Sequence, residues 1–214
     1  MTALQPLETP DMTSSLTIRD PLADDLLTPQ NAALLIIDFQ PVQVSSIVTM
    51  EKRLLIANVV NLAKSAKLYD LPVVLTTVNV ATGLNTPTIT PITDVLPGVT
   101  PIDRTAINAW EDEDFVAAVK ATGRRKLIMV ALWTEVCLAF PALDALREGF
   151  DVFAVVDAVG GTSQLAHQAG IDRVVQAGGK PVSWIQVVCE LQRDWNRTAT
   201  AQGFAEIVLR SVGH

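Results

Sequence analysis

The chain has 214 residues, 49% of them hydrophobic and 18% charged, with a formal net charge of −7. That length and apolar content suit one α/β domain with a sizeable core. The acidic balance, with no basic run longer than Arg124-Arg125-Lys126, excludes nucleic acid and anionic membrane as partners. No apolar run approaches the roughly 20 residues needed to cross a bilayer. The two cysteines, Cys137 and Cys189, make no disulfide framework, so the reading is a cytoplasmic protein with free thiols.

Residues 1–30, rich in Pro, Thr, Ser and Asp, read as an N-terminal arm. Its apolar Leu16, Ile18, Leu22, Leu26 and Leu27 argue that part of it lies on a surface. Residues 31–214 form the domain. Ala32 to Ile37 is an unbroken apolar run of strand length that stops at Asp38. Helical spacing of Leu54, Leu55, Val59, Leu62, Ala63 and Ala66 predicts a helix from Glu51 to Tyr69, and Val73 to Thr77 is the next strand. The stretch from Asn79 to Thr100, with Gly83, Gly98 and several prolines, is loop with a short helix near Ile92 to Leu96. Thr100 to Arg104 reads as a short strand. Asp112 to Thr122 is a helix with an acidic first turn, closed by Gly123.

Lys126 to Asp157 carries one strand-helix-strand unit. Leu127 to Leu132 is a buried strand, and the helix after it has Thr134 at its N-cap and runs to Glu148. Gly149 ends it, and Val152 to Val156 is the second strand, closing on Asp157, which reads as a turn cap. Further elements are a helix near Leu165 to Ala177, a strand at Pro181 to Ser183, a helix from Trp184 to Trp195 and a last helix over Gly203 to Val212. Strands alternating with helices in this way predict a three-layer α/β/α sandwich with a central, mainly parallel six-stranded sheet.

In such a sheet the carboxyl ends of the strands share one edge, where ligands bind. Asp38, Arg104 and Cys137 each follow a strand to that edge. The chemistry that joins them is nucleophilic attack on a carbonyl: Asp38 takes the thiol proton and later protonates the leaving amine, Arg104 supplies charge, and Cys137 attacks as thiolate. The start of a helix lowers a thiol's pKa and offers backbone N–H groups to a developing oxyanion. Trp110 and Trp133 read as pocket wall, with Gln40, Asn108 and Thr134 as weaker pocket residues. Cys189, among Val187, Val188 and Leu191, reads as inert core, and His167 as a helix-surface or packing residue. Gly160-Gly161 lacks the spacing of a dinucleotide-binding loop.

The segments ALLIIDFQ (33–40), INAWEDEDFVAAVKATG (107–123), WTEVCLAFPALDAL (133–146) and CELQRDW (189–195) resemble the isochorismatase-like cysteine hydrolases, and most closely their YcaC-like branch. The resemblance implies Asp38 as general base, Cys137 as nucleophile and Arg104 as the basic member of a catalytic triad. Many relatives have lysine there, and a guanidinium does not shuttle protons, so its role is electrostatic. It also implies a cis peptide at Leu132-Trp133, with an oxyanion hole made by the N–H groups of Trp133 and Cys137. Relatives acting on nicotinamide carry an Asp/His metal cluster, whereas His167 and His214 here lack ligand spacing, so neither metal nor cofactor is expected. The resemblance thus implies a small-molecule amidase acting through a thioester, assembled as a homo-oligomer, an octamer if it is like the YcaC-like branch. The rival reading is an oligomeric scaffold or ligand-binding protein that keeps the triad without turnover.

Overall fold

In a computed structural model, which describes residues 19–210, six strands form one sheet in the order β3-β2-β1-β4-β5-β6, every pair parallel. The strands are β1 (Ala32–Ile37), β2 (Val73–Val78), β3 (Ile102–Arg104), β4 (Lys126–Ala131), β5 (Asp151–Val155) and β6 (Lys180–Val182). All six residues of β1 and all six of β4 are buried, as central strands covered on both faces must be. The three-layer, six-stranded expectation holds, and the sheet is wholly parallel.

The helices are α1 (Pro41–Ser46), α2 (Lys52–Leu68), α3 (Thr90–Thr93), α4 (Glu113–Ala121), α5 (Ala139–Arg147), α6 (Gln164–Gln176), α7 (Trp184–Gln192) and α8 (Thr198–Leu209). On one face α2, α7 and α8 pack together, and on the other α5 packs on α6. Chain direction across the sheet reverses between β1 and β4. After β1 the chain works outward through β2 to β3, then crosses back to β4 and continues to β6. The crevice at the carboxyl ends of β1 and β4 is therefore the switch point of a doubly wound sheet.

Local signals account for most helix starts. Asp112 accepts from Phe115 N–H at 2.9 Å, Ser163 from Ala166 N–H at 3.1 Å, and Ser183 with Gln186 forms a capping box. Gly149 takes φ +89 and turns the chain out of α5 as expected. Differences from expectation have local causes. Pro41 opens a short helix the apolar pattern did not signal, and Pro91 starts α3 earlier than Ile92. Arg193, at φ +62, ends α7 before Trp195. The last helix begins at Thr198 rather than Gly203, and the end expected at Val212 lies outside the described residues, as do Leu16, Ile18 and His214. Asp157, expected to cap a turn, reaches instead to the start of α7: its Oδ1 accepts from Trp184 N–H at 2.8 Å.

Residues 19–30 are tied to the domain, in keeping with the apolar residues of this stretch. Leu27 is fully buried, and its N–H donates to Glu190 Oε2 at 2.7 Å. The buried Lys126 Nζ donates to the carbonyls of Asp24, Asp25 and Leu26. Burial pushes the Lys126 ammonium below its ordinary pKa, an effect opposed by the carboxylates of Asp151, Asp24 and Asp25. Replacing Lys126 by Met leaves three inward-facing carbonyls without their donor. The expected loss is about 1–3 kcal/mol in urea unfolding, with faster protease cleavage within residues 19–30. Unchanged stability and protection would show that the ammonium does not hold this segment.

Candidate active site

Three strand ends meet at the switch point. Asp38 follows β1 and has φ +60, a left-handed conformation that Asp tolerates better than most residues and that turns the chain sharply off the sheet. Its N–H donates to Thr76 O at 3.1 Å, so the turn is tied to β2. Arg104 ends β3, two strands away, a gap of roughly 9.5 Å at ordinary strand spacing. Its guanidinium crosses the end of β2, with Nη1 at 3.4 Å from Thr77 O and Nη2 at 2.7 Å from Asp38 Oδ2. Both side chains of this ion pair are fully buried.

Cys137 comes from the turn after β4. Leu132-Trp133 is a cis peptide. Thr134–Leu138 then form a wide π-type turn in which Leu138 N–H reaches back to Trp133 O at 3.1 Å, and α5 begins only at Ala139. The expectation of one α-helix capped by Thr134 is corrected accordingly. Thr134 is fully buried, its N–H donates to Gly160 O at 2.9 Å, and its hydroxyl meets His167 Nδ1 at 2.8 Å, with no cap bond.

The thiol's electrostatics also differ from expectation. Burial, followed by the nearby charge of Asp38, raises the Cys137 pKa above its ordinary 9.0. Arg104 and the Trp133 N–H work in the opposite direction. A first-turn helix effect does not win here, because the residue is 7% exposed and faces a carboxylate. Burial likewise raises Asp38 above its ordinary 3.8, against the charge and hydrogen bond of Arg104. The carboxylate thus makes the thiol hold its proton more tightly, while burial makes the carboxylate a readier acceptor. The resting pair is a thiol beside a carboxylate, one proton transfer away from thiolate and acid.

Other residues expected at the pocket also brace the elements around the site. Gln40 is fully buried with both amide ends occupied: Nε2 donates to Val78 O and Thr86 O at 3.1 and 2.7 Å, and Oε1 accepts from Val78 N–H at 3.0 Å. Asn108 caps the turn Ala109–Glu111 and donates to Asp144 Oδ2 at 2.7 Å. Trp110 stacks edge-on against Phe115 and Phe150 and donates to Glu148 Oε1 at 2.8 Å. Those contacts put it at the far end of α5 from Cys137. Trp133 is half-buried, and its Nε1 donates to Ser46 Oγ at 2.7 Å. Cys189 is exposed rather than core.

The contribution of α6 could not be assigned from strand ends. A Cβ at Gly170 would lie 2.8 Å from Glu135 Cα, and one at Gly161 would lie 2.6 Å from Glu135 Oε2. These glycines let α6 and the loop before it lie directly on the Cys137 turn. Glu135 reinforces the contact, since its Oε1 accepts from the Thr162 N–H and hydroxyl at 2.9 and 2.6 Å. The available signal was His167 and Gly170 at i and i+3, which share one helix face. Among the described residues no cluster of three or more His, Cys, Asp or Glu side chains is placed to hold a metal, and no helix is long and apolar enough to cross a membrane.

Residues 32–186 match the family model described as the isochorismatase domain. Over 170 residues the chain is 44% identical to the probable hydrolase YcaC of Escherichia coli (strain K12), covering 79% of this chain and 81% of that one. It is similar to the crystal structure of the E. coli YcaC gene product, described as an octameric hydrolase of unknown specificity. The TM-score is 0.81 at 40% identity, over 88% of this chain and 93% of that one. It is also similar to YcaC from Pseudomonas aeruginosa, solved with hexane-2,5-diol and covalent acrylamide. There the TM-score is 0.77 at 36% identity, over 89% and 98%.

Arg104→Met leaves the buried Asp38 carboxylate without its partner, at an expected cost of about 3–5 kcal/mol in urea unfolding. The double variant Asp38→Leu/Arg104→Met removes both charges and should recover most of that loss. A double variant as unstable as the single one would show that the pair is needed for the fold itself.

Proposed function

The chain belongs to the isochorismatase family, and from that premise we propose that it is a cofactor-independent cysteine hydrolase cleaving the C–N bond of a small amide. The observation that carries the reading is the Asp38 carboxylate, buried between the Arg104 guanidinium and the Cys137 thiol at the switch point of the sheet.

In this reading Asp38 accepts the thiol proton as the sulfur attacks the amide carbon. The C=O π electrons move to oxygen, and the N–H groups of Trp133 and Cys137 bind that oxyanion. Collapse re-forms the carbonyl and breaks the C–N bond, and the departing nitrogen takes the proton from Asp38. Asp38 then takes a proton from water, the hydroxide attacks the thioester, and the carboxylic acid leaves as Cys137 regains its proton. Arg104 stays charged throughout and keeps Asp38 oriented. Held above the ordinary carboxylate range by burial, Asp38 is a stronger base than an exposed aspartate.

Two features of relatives support the reading. The P. aeruginosa protein carries covalent acrylamide, a small amide with an electrophilic carbon. The E. coli protein is an octamer, and we extend a homo-oligomeric assembly to this chain. Exposed Val42, Val48, Leu54 and Leu165 leave apolar surface for such contacts. The protonated resting thiol favours the rival, a binding protein without turnover.

A panel of small primary amides discriminates between the two. Ammonia release that disappears in Cys137→Ala, with folding intact, establishes the amidase. No release from any amide, with no acrylamide adduct on Cys137, overturns it. The working form needs Asp38 ionised. Turnover should therefore fall as pH drops through a pKa above 3.8, with Asp38→Asn losing about 10²–10⁴-fold at all pH values. In light scattering the expected species is an oligomer of the 23.0 kDa chain, eight copies by likeness to the E. coli protein.

A further inference from the structure

We propose that His167 is a positioning residue for the Cys137 turn, holding the Thr134 hydroxyl as a neutral imidazole whose proton is on Nε2. The proposal rests on the reading of Cys137 as the nucleophile.

Thr134 begins the turn that carries Cys137 and is fully buried. Its hydroxyl lies 2.8 Å from His167 Nδ1 and has no other hydrogen-bond partner among the described residues. A buried hydroxyl proton without an acceptor costs about 1–3 kcal/mol. The imidazole nitrogen is the acceptor within reach, so the hydroxyl donates to Nδ1, and the ring proton belongs on Nε2.

The bond joins α6 to the peptide run that forms the proposed oxyanion hole. Thr134 sits between Trp133 and Cys137, whose N–H groups are the two donors. The turn is otherwise fastened by Thr134 N–H to Gly160 O and Leu138 N–H to Trp133 O. Gly161 and Gly170 bring α6 close enough for the imidazole to reach this run; at Gly161 a Cβ would lie 2.8 Å from His167 Cβ. The contact is thus built from two missing side chains and one histidine, with Gly170 and His167 on the same face of α6.

Protonation would break it. An imidazolium presents N–H at Nδ1, so the Thr134 hydroxyl must turn round to accept, and its own proton then has no acceptor. Burial already holds His167 below its ordinary 6.5, while the facing carboxylate of Glu135 acts the other way. On α6 itself, Asp172 is engaged by Gln168. The brace is therefore intact at neutral pH and is lost as pH falls through the lowered His167 pKa. This adds to the acid-side loss from Asp38.

Acrylamide is the probe, because its addition reports the reactivity of the Cys137 thiol that this turn positions, and it passes through an enolate. The sulfur bonds to the β-carbon, the double-bond electrons move toward the carbonyl oxygen, and the proton held by Asp38 returns to the α-carbon. Adduct formation on Cys137 would be followed by site-resolved mass spectrometry from pH 5 to 8 in the wild type, His167→Phe and His167→Asn, with folding verified by circular dichroism. His167→Phe should slow the adduct by about 10- to 100-fold. His167→Asn, whose Oδ1 can take the place of Nδ1 and does not titrate, should keep most of the rate and lose one acid-side inflection. In parallel, nitrogen NMR of a histidine-labelled chain, which has only two imidazoles, should show Nδ1 of His167 unprotonated at pH 7.

A wild type that forms no adduct defeats the nucleophile reading and the positioning role with it. A reactive wild type with His167→Phe equally fast, or a His167 protonated at Nδ1, overturns the positioning role alone. Equal losses in the Phe and Asn variants, without a change in pH profile, would mean the histidine only fills space.

Discussion

The Asp38–Arg104 ion pair is the constraint around which the candidate site is arranged. Two charges with no exposed side-chain surface, 2.7 Å apart, are costly to remove from water, and such pairs often stabilise a fold less than apolar residues of the same volume would. Burying Leu34, Leu35, Ile36 and Ile37 in β1 contributes about 1.5–3 kcal/mol for each side chain, so the sheet does not need the pair in order to form. Its position at the switch point, with Cys137 beside it, suits chemistry better than structure. The apolar core offsets the desolvation cost of the site.

The pair also explains why the thiol behaves differently from one at an ordinary helix start. Proximity to a helix N-terminus is a modest, distance-limited effect. Burial beside an ionised carboxylate is larger and opposite in sign, and the π-type turn sets Cys137 before α5 rather than within its first turn. Arg104 and the Trp133 N–H restore part of the balance. The result is a pair that shares one proton instead of a free thiolate, and a proposed nucleophile that becomes reactive when its proton moves to Asp38.

Much of the site was legible because strand ends are legible. Asp38, Arg104 and Cys137 each stand where an apolar or short strand run stops, and in a parallel sheet those stops share an edge. Trp110 and Trp133 were expected in the pocket as aromatic lining, and Gln40, Asn108 and Thr134 as residues near the strand ends. Neighbours along a strand end diverge in space, however. Gln40 turns inward to tie β2 to the loop at Thr86, and Trp110 reaches Glu148 at the far end of α5. Cys189 reads as core from its apolar neighbours, yet helical geometry turns it outward while Val187 and Val188 stay buried.

By itself the sequence determined the class of fold, the order of the strands and of most helices, the glycine stops after α4 and α5 and the three groups at the sheet edge. Hydrophobic periodicity, turn residues and cap chemistry are local, and they act over one element at a time. Only the tertiary structure decided the strand order that puts Asp38 and Cys137 on neighbouring strands, the reach of Arg104 across β2, the protonated thiol and the contact between His167 and Thr134. Each of these depends on the distance between segments tens of residues apart and on how far they are removed from water. Neither quantity is carried by local spacing; both arise when the layers pack.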